Sequence, residues 1–112
     1  MNQNLYLFYS HNHLLFKAYG IYRSKEILPK DSLPKTFKSE RTLATSIYYL
    51  LGNKDFSAFH RIKSDESWHY YTGSCGLNVY EIRPDGELII HSLGSDPEKG
   101  QGFFTVINGG SW

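Results

Sequence analysis

The stretch from Asp55 to Gly73, DFSAFHRIKSDESWHYYTG, concentrates the side chains of this sequence that are best suited to chemistry. An imidazole such as that of His60 can abstract a proton when a neighbouring acid, here Asp65 or Glu66, orients it. The apolar residues around this stretch alternate in the way that is typical of β-strands. Polar groups inside a β pattern indicate a pocket, because a buried charge must be paired or used. The pattern therefore predicts where a ligand binds, without identifying the ligand.

The elements that would position these residues are short β-strands separated by turns. Residues 1–16 fit either a strand and turn or a short helix, and two prolines predict a loop over residues 28–38. A polar turn at residues 52–55 and a Pro–Asp–Gly turn at residues 84–86 each predict a hairpin. This spacing is typical of an all-β sandwich or barrel in a single domain, residues 1–112. The predicted strands are residues 18–23, 41–51, 56–62, 68–73, 77–82, 87–93 and 103–107.

Strand alternation also predicts which side chains share a face. Over residues 56–62 it places His60 on the inward face. Counting by twos from Glu66 places Trp68 inward and His69 outward, at the surface or in an interface. His91 has no partner that the sequence identifies, and we interpret it as structural.

Composition and charge exclude several classes of protein. The chain has 112 residues, 16% aromatic residues and few alanines, which favours one strand-rich domain over a helical one. A net charge of +1 provides no field that attracts nucleic acid or anionic lipid, so we predict neither as a partner. Cys75 is the single cysteine, and we interpret it as structural. Because no signal-peptide pattern and no apolar run of about 18 residues is visible, we expect a cytoplasmic protein.

Several segments together resemble a known family. They are TSIYYLL, FSAFHRIKSDE, WHYYTG, the PDG hairpin, the LG…D…G loop and VINGGSW. From about Tyr22 to Trp112 the sequence is similar to the small cupin type 5 family, whose function is not established. The resemblance implies a cupin-type double-stranded β-helix, or jelly roll, of mostly antiparallel strands. It also implies the first cupin motif, H-x-H followed by Glu and Gly, and His60, Glu66 and Gly73 fall on that spacing.

The sequence departs from the family pattern at several points. Residues 1–21 diverge from it, Ile62 stands where the motif has its second histidine, and the last histidine of the second motif would follow Trp112. We therefore expect a jelly roll that is incomplete at the C-terminus. Cupin metal sites typically use three His and one Glu, so the resemblance leaves too few ligands here, and we predict neither a metal nor another cofactor. The pair formed by His11 and His13 has no further ligand nearby, and we do not interpret it as a metal site.

The residues and the resemblance leave three functions open, of which the first is metal-free binding of a small polar ligand, of sugar or nucleotide-sugar type. His60 would be a possible base, with Asp65 or Glu66 as the orienting acid. Arg23 and Lys63 could hold a phosphate or a carboxylate. Four aromatic residues suit stacking on a sugar or a base: Tyr48, Phe56, Trp68 and Tyr70. The structural alternative, a hydrogen-bonded core histidine surrounded by core aromatics, stays open.

The second function is that of a non-catalytic, shortened or fragmentary cupin that acts as a dimer or binding component. Cupins commonly pair through edge strands, and an open jelly roll leaves such edges unpaired. The third is a metal-dependent cupin enzyme. We expect a homodimer whose ligand pocket is built around His60, Lys63, Glu66 and Trp68.

Overall fold

The computed structural model describes the backbone of residues 6–10, 13–52 and 54–112, and the side chains of residues 22–52 and 54–112. Strands and two short 3₁₀ turns, Lys30–Ser32 and Pro97–Lys99, form the regular structure of these residues, so the predicted all-β class is confirmed. None of the described helices is long and apolar enough to cross a membrane. The strands are β1 Tyr6–Ser10, β2 His13–Arg23, β3 Ile27–Leu28, β4 Arg41–Thr42, β5 Thr45–Leu50, β6 Glu66–His69, β7 Leu77–Ile82, β8 Leu88–Leu93 and β9 Phe104–Ile107.

The chain divides into two compact units, an N-terminal unit, Met1–Ala58, and a C-terminal unit, Phe59–Trp112. The single domain over residues 1–112 stays a prediction. In the N-terminal unit β1, β2 and β5 form an antiparallel sheet in that order, and β3 pairs with β4. The predicted strand at residues 18–23 is part of β2, whereas the predicted strand at residues 41–51 is divided between β4 and β5. His11, of the H-x-H pair, lies outside the described residues.

The C-terminal unit is built around the hairpin of β7 and β8. These strands pair in antiparallel register from Leu77↔Leu93 to Ile82↔Leu88. Their turn uses Gly86 at a φ of 90°, a backbone conformation that glycine adopts without steric cost. The Pro–Asp–Gly hairpin is therefore confirmed.

A second pair of strands, β6 and β9, completes the C-terminal unit. It is antiparallel, with Glu66↔Ile107 and Trp68↔Thr105 among its partners. The loop between β8 and β9 returns to β8, where Gly94 N–H donates to the Gly102 carbonyl over 2.9 Å. Burial alternates along β6, and along β7 from Leu77 to Glu81, so each strand turns one face inward.

The segment that follows β9 attaches to two other parts of the C-terminal unit. Gly110, at a φ of 94°, donates its N–H to the Ile62 carbonyl over 2.8 Å. Trp112 and Ile82 exchange two backbone hydrogen bonds of 2.9 Å each. A side chain at Gly109 would collide with the backbone of Lys63, so glycine is required there by close approach.

The predicted strand over residues 56–62 is wrong, because no strand lies between β5 and β6 in the part of the chain that the structure describes. Five of these residues are exposed, and the half-buried ones, Ser57 and Ile62, do not alternate. A strand needs a neighbour for its backbone N–H and C=O groups. The predicted hairpin at residues 52–55 is wrong as well, because β5 pairs with β2. Asp55 instead closes its own turn, accepting the Gly52 N–H over 2.8 Å.

Candidate functional site

Two of the predicted site residues, Glu66 and Trp68, lie on the inward face of β6. Both are half-buried, whereas Ser67 and His69 are exposed, so the predicted alternation is confirmed. The Trp68 indole Nε1–H donates to Oε2 of Glu66 over 2.9 Å. The bond fixes the indole ring against the carboxylate, which can still accept a hydrogen bond at its other oxygen.

Three further predicted residues, His60, Lys63 and Asp65, lie on the segment that precedes β6. All three are exposed. Oδ1 of Asp65 accepts the backbone N–H of Gly109 over 2.9 Å, which ties this segment to the end of the chain. Because His60 does not lie on a strand, alternation no longer places it on an inward face. Its role as a base stays a prediction.

The remaining predicted residues are divided between the two units. The hydroxyl of Tyr70, in the C-terminal unit, donates to the Cys75 carbonyl over 3.1 Å. Arg23, Tyr48 and Phe56 belong to the N-terminal unit, and all three are exposed. Their part in a ligand site stays a prediction.

Sequence reasoning missed the most strongly connected polar group of the described residues, which is centred on Glu81. This side chain is 1% exposed, and it accepts two hydrogen bonds. Ser111 Oγ donates to its Oε1 over 2.8 Å, and His91 Nε2 lies 2.9 Å from its Oε2. The other ring nitrogen of His91, Nδ1, lies 2.8 Å from Thr105 Oγ1. Four side chains from three strands and the C-terminal segment therefore form one continuous network.

The buried carboxyl of Glu81 is ionised, although burial alone would favour its neutral form. Desolvation raises its pKa, but the hydrogen bonds from His91 and Ser111 lower it, and the charges of His91 and Arg83 act in the same direction. The net result is a pKa below the ordinary value of 4.5. The carboxylate therefore accepts at both oxygens at neutral pH.

The charge on Glu81 determines the proton positions in the network. A carboxylate can only accept, so Nε2 of His91 carries the hydrogen in the 2.9 Å contact. In the neutral ring Nδ1 is then an acceptor, and the hydroxyl of Thr105 donates to it. With a neutral ring, the order of donation runs from hydroxyl to imidazole to carboxylate; with a protonated ring, Nδ1 donates to the Thr105 hydroxyl instead.

A signal for this network was present in the alternation of β7 and β8. Every second residue of β7 from Leu77 onward faces inward, and Glu81 is the third of these positions, after Val79. In β8, His91 occupies the inward position between Ile89 and Leu93. Both polar residues therefore occupy inward positions in otherwise apolar rows, where a polar group needs a partner. Thr105 and Ser111 carry no comparable signal, because hydroxyl residues are tolerated on either face.

Thr105 connects the Glu81 network to the predicted residues on β6. It lies directly opposite Trp68 in the β6–β9 register, so the two side chains leave the same face of the sheet. It also bonds to His91 of the other strand pair. We refer to Glu66, Trp68, Glu81, His91, Thr105 and Ser111 as the inner polar cluster.

The metal ligands that the resemblance to cupins implies are incomplete in this sequence. Ile62, which stands at a ligand position of the family motif, has an apolar side chain without a donor atom. Among the side chains that the structure describes, those of residues 22–52 and 54–112, no group of three or more His, Cys, Asp or Glu is arranged to hold a metal ion. Glu81 and His91 are already engaged with each other and with hydroxyl groups.

Among known protein families, the one described as Cupin superfamily (DUF985) matches residues 15–112 of this chain. No curated protein and no solved structure matches the chain significantly. The matched range contains the whole inner polar cluster and all of the predicted site residues.

Proposed function

Since the chain belongs to the cupin superfamily, we propose that it binds a small polar ligand, of sugar or nucleotide-sugar type, at the inner polar cluster and without a metal. The observation that carries this proposal is the hydrogen bond between Trp68 and Glu66 on an inward strand face. An indole ring offers a sugar an apolar stacking surface, and a carboxylate beside it accepts hydrogen bonds from sugar hydroxyls. Thr105, opposite Trp68, supplies a further polar group.

The other residues predicted from the sequence keep their candidate roles in the same proposal. His60 is the candidate base, with Asp65 as the candidate orienting acid. Lys63 and Arg23 are candidate partners for a phosphate or a carboxylate. Three further aromatic side chains are candidate stacking surfaces: Tyr48, Phe56 and Tyr70. The proposal places the protein in the cytoplasm, where an exposed free thiol such as that of Cys75 stays reduced.

Tryptophan fluorescence tests ligand binding directly. Because the chain has two tryptophans, Trp112→Phe leaves Trp68 as the single reporter. We expect a nucleotide-sugar panel, with UDP-glucose as the first probe, to change the Trp68 emission and to raise the melting temperature. Glu66→Gln should weaken binding roughly 10- to 150-fold, since one hydrogen bond to a charged group is worth about 1.5–3 kcal/mol.

The matched control for this experiment is Glu87→Gln. Glu87 is an exposed carboxylate of the hairpin turn, paired with Arg83, and its loss should leave the affinity unchanged. If no sugar or sugar nucleotide changes either signal in the folded protein, the ligand proposal is wrong.

A second candidate function, a dimer or binding component, is favoured by an exposed aromatic group on the outward face of β6 and β9. The His69 ring stacks on Phe104 at a centroid distance of 5.4 Å, and Phe104 is 56% exposed. Exposed apolar side chains of this size are typical of interaction surfaces. We expect light scattering to give the mass of a dimer and Phe104→Lys to give that of a monomer. A wild-type monomer at all concentrations would contradict this candidate.

A further inference from the structure

A hydroxyl, an imidazole and a carboxylate are linked in sequence by hydrogen bonds in the C-terminal unit. These groups belong to Thr105, His91 and Glu81, and in this arrangement the imidazole and the carboxylate can activate the hydroxyl. The hydroxyl of Thr105 is 2.8 Å from Nδ1 of His91, and Nε2 of the same ring is 2.9 Å from the carboxylate of Glu81. In such an arrangement the imidazole takes the hydroxyl proton, and the carboxylate stabilises the imidazolium that results. We propose that Thr105 is a nucleophile toward activated carboxylic esters and that the C-terminal unit carries an acyl-transfer site. The proposal does not depend on ligand binding at Trp68.

Burial along these three residues suits that chemistry. Glu81 is 1% exposed and is held at its other oxygen by Ser111, so its orientation is fixed. The side chain of His91 is 21% exposed, and Thr105 is half-buried. The carboxylate of Glu81 is therefore shielded from solvent, whereas the hydroxyl of Thr105 is partly accessible. A nucleophile must be accessible to its substrate, and the acid that orients its base can be buried.

The reaction balances with water as the co-reactant. Thr105 Oγ1 attacks the ester carbonyl carbon, a bond forms between them, and the hydroxyl proton moves to Nδ1 of His91. The bond from that carbon to the leaving oxygen then breaks, and the alcohol leaves with the proton. Water attacks the threonine ester in the same way, and its proton returns through His91 to Thr105 Oγ1 as the carboxylic acid departs.

Acetylation by p-nitrophenyl acetate tests the proposal. The background variant is Cys75→Ser, because the exposed thiol of Cys75 also reacts with this ester. We expect a burst of p-nitrophenolate close to one equivalent per chain and one acetyl group that peptide mass mapping assigns to Thr105. His91→Gln should slow the burst by roughly 10²–10⁴-fold, the usual contribution of a positioned base.

Two substitutions at position 105 separate chemistry from folding. Thr105→Val keeps the shape and removes the hydroxyl, so the burst should disappear, whereas Thr105→Ser should keep it. The label position in the background variant decides the question even if Thr105→Val does not fold. Acetylation of lysines alone, with Thr105 unlabelled in folded protein, would overturn the proposal.

Glu87→Gln is the matched control for this experiment. Glu87 is an exposed carboxylate paired with Arg83, and it lies outside the network of Thr105, His91 and Glu81. We expect its burst to equal that of the background variant, and a burst that fell in this variant would overturn the assignment to Thr105. Because the burst is measured without UDP-glucose, its outcome is independent of whether a sugar nucleotide binds at Trp68.

Discussion

Two regions of the C-terminal unit carry comparable polar side chains and use them differently. The segment from Phe59 to Asp65 is rich in charge, and its charged side chains are exposed. The hairpin of β7 and β8 has fewer polar residues on its inward face, but Glu81 is almost wholly buried. The side chains that bond to Glu81 come from β8 and from Ser111, ten and thirty residues further along the chain.

The difference between these regions lies in their backbone partners. Each strand of the hairpin has a paired neighbour, so its inward side chains face a packed layer, and any polar group there must be satisfied. No buried polar side-chain atom among the described residues lacks a hydrogen-bond partner. The exposed segment has no such requirement, since water can satisfy any of its polar atoms that a protein group does not. Buried polar residues therefore contribute to stability as well as to chemistry, whereas exposed ones contribute less to stability.

The largest effect expected from this difference is that of Glu81→Ala. The change removes the acceptor of the half-buried His91 ring and of the buried Ser111 hydroxyl. Two hydrogen bonds to a charged group are lost, each worth about 1.5–3 kcal/mol, which gives about 3–6 kcal/mol in total. We expect the free energy of unfolding in urea to fall by that amount. A loss below about 1 kcal/mol would show that Glu81 behaves as a surface residue does, and would contradict the contrast between the buried hairpin and the exposed segment.

A smaller effect is expected from Ser111→Ala, which removes one of the two bonds. Ser111 is 4% exposed, so water does not replace its hydroxyl readily. A hydrogen bond to a charged group is worth about 1.5–3 kcal/mol, and the urea midpoint should fall accordingly. Ser57→Ala, on the segment without a strand, is the control, and its midpoint should stay near that of the wild type.

The pH dependence of stability sharpens the comparison further. Because the pKa of Glu81 is lowered in the folded protein, its carboxylate contributes stability above its unfolded value near 4.5. That contribution is lost as the pH falls through the lower folded value. Glu81→Gln should therefore lose less unfolding free energy than the wild type below about pH 4.5. Equal slopes for the two proteins would contradict the pairing of Glu81 with His91, Ser111 and Arg83.

The smallest effect is expected on the exposed segment. His60→Ala should change the free energy of unfolding by no more than about 0.5 kcal/mol, as is usual for surface positions. If the free energy of unfolding fell by several times that amount, His60 would be buried in solution, and the contrast with the hairpin would be wrong.

The sequence predicted correctly those strands that pair with the next strand along the chain or that show clear alternation of apolar and polar residues. β7 matches its predicted bounds, and β8 and β9 differ from theirs by one residue. The alternation at residues 56–62 is as regular, but periodicity cannot show whether a neighbouring strand is present to pair with it. For the site, parity placed Trp68 inward correctly, whereas the bond between His91 and Thr105 depends on how two separate strand pairs meet. A local pattern does not contain that information.

The turn after β9 gives the molecule a mechanical connection between its surface and its interior. Gly109 and Gly110 are bonded to Asp65 and Ile62, and the next residue, Ser111, reaches Glu81. One short turn therefore anchors both the exposed segment and the buried carboxylate of Glu81. A deletion of residues 109–111 would release both attachments at once.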